Sequence, residues 1–328
     1  MYFFRNSTEE YRRVALKSFV VGERSLRAYL AGGNVRFLEE AEANFSRLRP
    51  NDKRYDEARL LLGITKTQLR KSNDSIDILQ DLRNRIREKK SGENPTFDRK
   101  ISLQLAFANI KKYTDAGYAA AKKELEELIQ TAGKDEEQRL QAQSIQVFLY
   151  SVMAGRSKEF KAQRPDFART TLKLGEELLK AGQSSLTVRF EALNALGIAW
   201  MRIAEGNWDG FGDREDSWEK SQNFYDQALA IVPNSVRVLQ NIAKLRIIQV
   251  EQNFPGDRSA LLGEARELVM RSLEVNNQDQ YPFSELARIA LLEGDKRSAL
   301  AFINMGRSKP GSVKPEEWAK LEADAKAL

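Results

Sequence analysis

Four carboxylates crowd into the twelve residues NWDGFGDREDSW, from Asn207 to Trp218. Asp209, Asp213, Glu215 and Asp216 are the residue type that binds a hard cation. A calcium loop, however, needs ligands at alternating positions closed by a bidentate glutamate, and this spacing does not supply them. The chain has no histidine and no cysteine. Zinc sites, Ser-His triads and thiol chemistry are thereby excluded, which leaves carboxylate chemistry alone. The sequence points to no catalytic residue, no metal site and no cofactor. The aromatics of the same stretch, Trp208, Phe211 and Trp218, read in two ways. They either pin a long loop onto neighbouring helices or project from it as an interface loop, since aromatic side chains anchor interfaces.

A second cluster has the opposite charge. RNRIREKK places Arg83, Arg85, Arg87, Lys89 and Lys90 within eight residues. Such a run can track phosphates, or it can sit at a helix C-terminus, where cations meet the helix dipole. No aromatic is interleaved for base stacking. The formal net charge is +6, and residues 1–100 hold 22 Lys and Arg against 15 Asp and Glu, so the remainder is close to neutral. Any basic field belongs to the first third. The adjacent glycines of YLAGGN (29–34) lack the preceding strand and the following Lys-Ser/Thr of a phosphate-cradling loop. They read as a turn between helices.

The elements that carry these residues are helices. Ala, Leu, Glu, Lys and Arg recur throughout, only 8 prolines are spread over 328 residues, and no run of alternating β-branched residues is bounded by turn signals. Caps and periodicity predict helices at about 7–30, 34–48, 55–70, 74–90, 99–113, 115–131, 135–155, 165–181, 184–205, 214–232, 235–253, 257–275, 281–293, 295–308 and 315–327. No segment is apolar enough for a membrane span. The opening MYFFRNSTEEYRR does not have the form of a secretory signal. A soluble, cytoplasmic protein is expected, without membrane insertion.

The helices pair. Phe283, Leu286, Ala287 and Ala290 fall on one face. Gly294-Asp295 breaks the helix, with Gly as the left-handed C-terminal residue and Asp as the next N-cap. Ala299, Ile303 and Gly306 then form the inner face of a second helix. The same order recurs upstream: Ala121, Leu125 and Leu128; Ala168, Leu172 and Gly175; Tyr225 and Ala228 after Leu196-Gly197 and Trp200; Ala265, Val269 and Ser272. A helix pair of this kind buries its apolar face only by stacking on its neighbours.

This pattern resembles the tetratricopeptide repeat family, on Leu196-Gly197, Trp200, Tyr225, Ala228 and Pro233, and on Leu286-Ala287, Ala290, Ala299 and Ile303. The resemblance covers about residues 34–311. It implies an all-α, right-handed solenoid of antiparallel helix hairpins with flanking N- and C-terminal helices. It also implies a concave groove, lined by the first helix of each pair, that holds a peptide or a partner's helix. The repeats are irregular. From Ala290 to Ala299 the chain takes 9 steps, whereas Leu149 to Ala168 and Arg246 to Ala265 take 19 each and Trp200 to Ser221 takes 21. Longer helices and looser turns are expected there.

On this reading Asn194, Arg237, Asn241, Lys244 and Arg288 stand exposed on successive first helices and form the partner-binding set. Asparagines pair with an extended backbone, and cations suit carboxylates. A carboxylate clamp of the kind some family members carry is incomplete, because Glu285 stands where a cation would be needed. The expected organisation is N-terminal helices and first hairpins over 1–90, a linker or loop at 91–98, a solenoid over 99–311 and a capping helix at 312–328. The expected function is a non-catalytic scaffold, adaptor or sensor module that binds a protein or peptide. The alternative is a nucleic-acid-associated solenoid that uses the basic first third.

Overall fold

The computed structural model describes residues 2–30, 34–88, 95–133, 135–181, 185–277, 279–309, 313 and 315–328, with side chains from residue 10 onward. Lys89, Lys90, residues 91–94 of the expected linker, the glycine pair at 32–33 and residues 310–312 lie outside the described set. Among the described residues there are fifteen α-helices and no strand. They are α1 (Tyr2–Leu30), α2 (Arg36–Phe45), α3 (Tyr55–Gln68), α4 (Ser72–Glu88), α5 (Pro95–Ile110), α6 (Asp115–Thr131), α7 (Glu136–Arg156), α8 (Arg164–Ala181), α9 (Leu186–Gly206), α10 (Arg214–Ile231), α11 (Val236–Glu251), α12 (Arg258–Val275), α13 (Gln280–Glu293), α14 (Lys296–Arg307) and α15 (Pro315–Ala327). One short 3-10 turn, Lys161–Gln163, precedes α8. The helices agree closely with those expected. Three differ: α1 begins at Tyr2 rather than at 7, α2 ends in a turn at Phe45 rather than reaching 48, and α5 runs Pro95–Ile110 rather than 99–113, so that residues 95–98 of the expected linker belong to a helix that Pro95 opens.

Helix starts are fixed by side chains. Asp135, Asp213, Asp257, Asp279 and Asp295 each accept a backbone N–H of the turn they precede, as do Ser185 and Ser235. Gly294 ends α13 at φ 78°, in the left-handed conformation that the Gly-Asp break requires.

The chain divides into two compact units, residues 1–112 with 116–128, and residues 113–115 with 129–328. In the first, α1 pairs with α2 and α3 with α4. Its core joins Phe19, Leu38, Ala41, Phe45 and Leu62, and continues through Leu79, Leu82, Ile101 and Leu105. In the second, α7 pairs with α8, α9 with α10, α11 with α12 and α13 with α14, and α15 packs on α13 and α14. The extra residues lengthen the helices as expected. α7 and α9 have 21 residues and α8, α10 and α12 have 18, against 14 and 12 in α13 and α14.

One joint recurs in both units. A Cβ on Gly63 of α3 would stand 2.7 Å from the Leu79 side chain of α4, and one on Gly197 of α9 would stand 2.5 Å from the Tyr225 ring of α10. In each pair a serine one turn earlier on the second helix donates to the glycine carbonyl, Ser75 to Gly63 at 2.7 Å and Ser221 to Gly197 at 2.8 Å. The hydroxyl satisfies a buried acceptor, while the large residue fills the space that the glycine leaves. Elsewhere alanine takes the serine's place: Ala168, Ala265 and Ala299 are fully buried on α8, α12 and α14.

Candidate functional site

The first helices of the second unit carry a stripe along α11, made of Arg237, Asn241, Lys244 and Glu251. These positions fall on one helical face. Glu191, Asn194, Arg202 and Glu205 line the matching face of α9, and Tyr281, Glu285 and Arg288 that of α13. Arg156 closes α7.

The stripe forms two linked groups. In the first, the Arg237 guanidinium donates to Glu191 at 2.6 Å and lies 5.3 Å from the ring centres of both Phe148 and Phe190. Beside it the Asn241 amide donates to the Asn194 Oδ1 at 3.0 Å. In the second, Arg288 donates to Glu251 at 2.7 Å and to Glu285 at 2.9 Å, so one guanidinium bridges α11 and α13. Arg202 is buried and paired with Glu205, and its side chain runs over Gly155. Arg156 stacks over Tyr113 at 4.6 Å. Burial works against the charge of Glu205, but Arg202 and then Lys244 hold its carboxyl below the usual range.

Lys244 differs from its neighbours. It is half-buried and, among the described residues, makes neither a hydrogen bond nor an ion pair. Burial first, and then the cations Arg202 and Arg156, push its pKa down to about 7, against the weaker pull of Glu285 and Glu205.

The five residues expected to bind a partner thus lie together on α9, α11 and α13, but not as exposed side chains. Asn194 is fully buried and the other four are half-buried. Arg237 and Arg288 are already neutralised by carboxylates of the same chain. Sequence reasoning missed Arg202, Glu205, Glu191 and Glu251. The one available signal was Glu285, an acid at a position where the resemblance called for a cation; it is buried and holds Arg288.

The two other candidate clusters are structural in character. Trp218 is buried in the core, and Trp208 and Phe211 pack on Ala154, Ala168 and Ile203. Arg169 covers Phe211 at 4.9 Å. Of the two readings of these aromatics, the packing matches the one in which they pin the loop onto neighbouring helices rather than project from it. The basic run of α4 is likewise committed. Arg83 pairs with Glu124 at 2.7 Å, Arg85 with Asp56 at 3.0 Å and Arg87 with Asp98 at 3.2 Å. No group of three His, Cys, Asp or Glu among the described residues is placed to hold a metal ion, and no described helix is long and apolar enough to cross a membrane.

No protein-family model and no curated protein matches this chain. Solved structures do. A tetratricopeptide repeat protein from Parabacteroides merdae ATCC 43184 is similar over 97% of this chain and 99% of its own, at 11% identity and a TM-score of 0.51. A monomeric mutant of IFIT1 with m7Gppp-AAAA is similar over 96% of this chain and 75% of its own, at 16% identity and a TM-score of 0.42. The first likeness spans nearly the whole of both chains and agrees with the paired helices. The chain has the fold of an all-α solenoid built from tetratricopeptide-like hairpins.

Proposed function

We propose that this protein is a non-catalytic protein-binding module, a scaffold, adaptor or sensor, whose partner lies along α9, α11 and α13. The observation that carries the reading is the stripe of Arg237, Asn241, Lys244 and Arg288, which is polar and half-buried in an otherwise apolar stack. Stacked helices need no such stripe for their own stability, because replacing buried ion pairs by apolar residues is often neutral or stabilising. The stripe is prearranged by Glu191, Glu251 and Glu285, and a prearranged polar surface reduces the ordering needed on binding. A catalytic reading lacks support in the same residues. The carboxylates of the stripe are held as ion pairs, so none is available as a neutral general acid.

The nucleic-acid reading draws on Arg83, Arg85 and Arg87, whose charges are already met by carboxylates, and it gains nothing from the geometry. A cytoplasmic place is part of the same proposal.

The test is selection from a displayed random-peptide library against the whole chain, followed by hydrogen-exchange mapping. Enriched peptides that protect α9, α11 and α13 support the proposal. Enriched peptides that protect only residues 1–128, or no enrichment at all, overturn it.

A further inference from the structure

The first third of the chain holds the excess positive charge, and the basic run of α4 does not account for it, because Arg83, Arg85 and Arg87 each meet a carboxylate. The unmatched cations stand on α1. By sequence that helix carries six Lys and Arg against three Glu. Among the described residues Arg12, Arg13, Lys17 and Arg24 are exposed and make neither a hydrogen bond nor an ion pair, whereas Arg27 takes Glu23 at 2.6 Å. Arg13, Lys17, Val20, Arg24 and Arg27 succeed one another at steps of four and three, so they share one helical face. Leu16 lies one turn after Arg12 and one turn before Val20. Leu16 is 56% exposed and Val20 54%. Glu10 is exposed at the edge of this stripe. The opposite side of α1, with Ala15, Phe19 and Leu26, is buried, and the helix packs on α2 and α3. The stripe therefore lies on the crest of a single helix. The last helix, α15, is different: it turns outward Glu316, Glu317, Lys320 and Asp324, with both signs of charge. Closing a stack does not require the pattern of α1.

We propose that this face of α1 is a membrane-surface site. The helix lies in the headgroup layer of an anionic bilayer, with Leu16 and Val20 towards the acyl chains and Arg12, Arg13, Lys17 and Arg24 on lipid phosphates and carboxylates. Long basic side chains suit that layer, because their stems lie beside apolar neighbours while their heads stay at the charged surface. Other occupants fit less well. If the face met its own copy, four cations would oppose like charges. A nucleic acid would use the cations and leave Leu16 and Val20 without a role. A partner helix seats in a groove between helices, and this stripe stands on a crest. A bilayer surface accepts a crest. Attachment of this kind is peripheral, since no described helix is long and apolar enough to cross a membrane. The anionic leaflet faces the cytoplasm, so the site is compatible with the cytoplasmic place proposed above. Two apolar side chains hold a surface only weakly, so most of the attraction is electrostatic and must fall with salt.

The experiment sediments the whole chain with vesicles of phosphatidylcholine alone and of phosphatidylcholine with about 30% phosphatidylserine. Binding is expected to be about fivefold or more greater with phosphatidylserine. It should fade as salt is raised from about 0.1 M to about 1 M, where the screening length shortens from about 10 Å to about 3 Å. The triple variant Arg13→Glu, Lys17→Glu, Arg24→Glu should abolish binding. The triple variant Arg271→Glu, Arg297→Glu, Lys320→Glu makes an equal change of charge at exposed cations elsewhere and should retain binding within about twofold. A second readout needs no charge variant to fold. Because the chain has no cysteine, a polarity-sensitive dye can be placed at one position at a time. On Val20→Cys the dye emission should shift to the blue with the phosphatidylserine vesicles. On Leu186→Cys, at a residue 64% exposed on α9, it should not. The proposal is overturned if these vesicles leave the chain in solution, if the two charge reversals weaken binding alike, or if the dye shifts equally at both positions.

Discussion

The ring of Tyr225 occupies the space that a side chain at Gly197 would need, with a Cβ there only 2.5 Å from the ring. Tyr225 is fully buried, so the ring has nowhere to retreat. Gly197→Ala is expected to destabilise the protein by roughly 1–3 kcal/mol despite alanine's better helix propensity. Gly263, on the open face of α12, has nothing within 4 Å of its Cβ position, and Gly263→Ala should stabilise by about 0.5–1 kcal/mol. Urea unfolding midpoints that move in the same direction for both variants would contradict the joint.

The end of the second unit gives another test. Trp318 is buried against Gly306 and Phe283, in a cluster with Ala299, Ile303 and Leu321. Trp318→Ala should cost about 3–5 kcal/mol. Removing residues 313–328 should uncover the apolar edge of the α13–α14 pair and promote association. Light scattering of a truncated chain that stays monomeric, with an unchanged melt, would refute the capping role of α15.

Ala287 and Ala299 are fully buried where α13 meets α14. Ala287→Leu adds volume at a fully buried helix crossing, and a loss of roughly 1–3 kcal/mol is expected in a circular-dichroism melt. An unchanged melting curve would mean that the two helices are not locked at this crossing.

The fold was legible because it is written in spacings within each pair of helices. The order of small and large residues seen in Ala299, Ile303 and Gly306 survives in every pair of the second unit, whatever the length of the connection. The site was legible only in half. Its residues meet across pairs, and the offset is not constant: Asn194 meets Asn241 over 47 residues, whereas Glu251 meets Arg288 over 37. No fixed period links a cation to its carboxylate. The sequence therefore displayed Arg237 and Arg288 as free charges, and the folded chain pairs them. The serine-to-glycine bonds of Ser75 and Ser221 escaped for a different reason. A serine on a helix face reads as solvated until its partner carbonyl is placed.

Lys244 has a consequence for stability. In the folded chain it releases its proton near pH 7, and in the unfolded chain near the ordinary lysine value of 10.5. Between these values the unfolded chain holds more protons, so stability rises with pH through this window. Lys244→Met should be more stable than the parent at pH 6, with the advantage shrinking steadily towards pH 10. Parallel stability profiles for the two proteins would show that Lys244 titrates normally.

The first unit offers the opposite sign. Glu42 receives Lys66 at 2.6 Å and Lys71 at 2.9 Å. Burial raises its pKa, but the two ammonium groups outweigh burial and hold it below the ordinary 4.5. Its contribution is present above pH 4.5 and lost as the pH falls through the lowered value. Because both lysines reach solvent, Glu42→Gln should cost no more than about 1 kcal/mol at pH 7. The gap should close in acid. A gap that persists at pH 3 would point to lost packing rather than lost charge.

The aspartates at the starts of α10, α12 and α14 act as fixed addresses. Each decides where a second helix begins without reference to how much chain came before it. Connections can then gain or lose residues without disturbing the alignment of the packed faces. In this protein repeat length varies from pair to pair, while the small-large-small contact between the helices of each pair stays the same. One hairpin can therefore be longer than the next without a change in the stack beneath it.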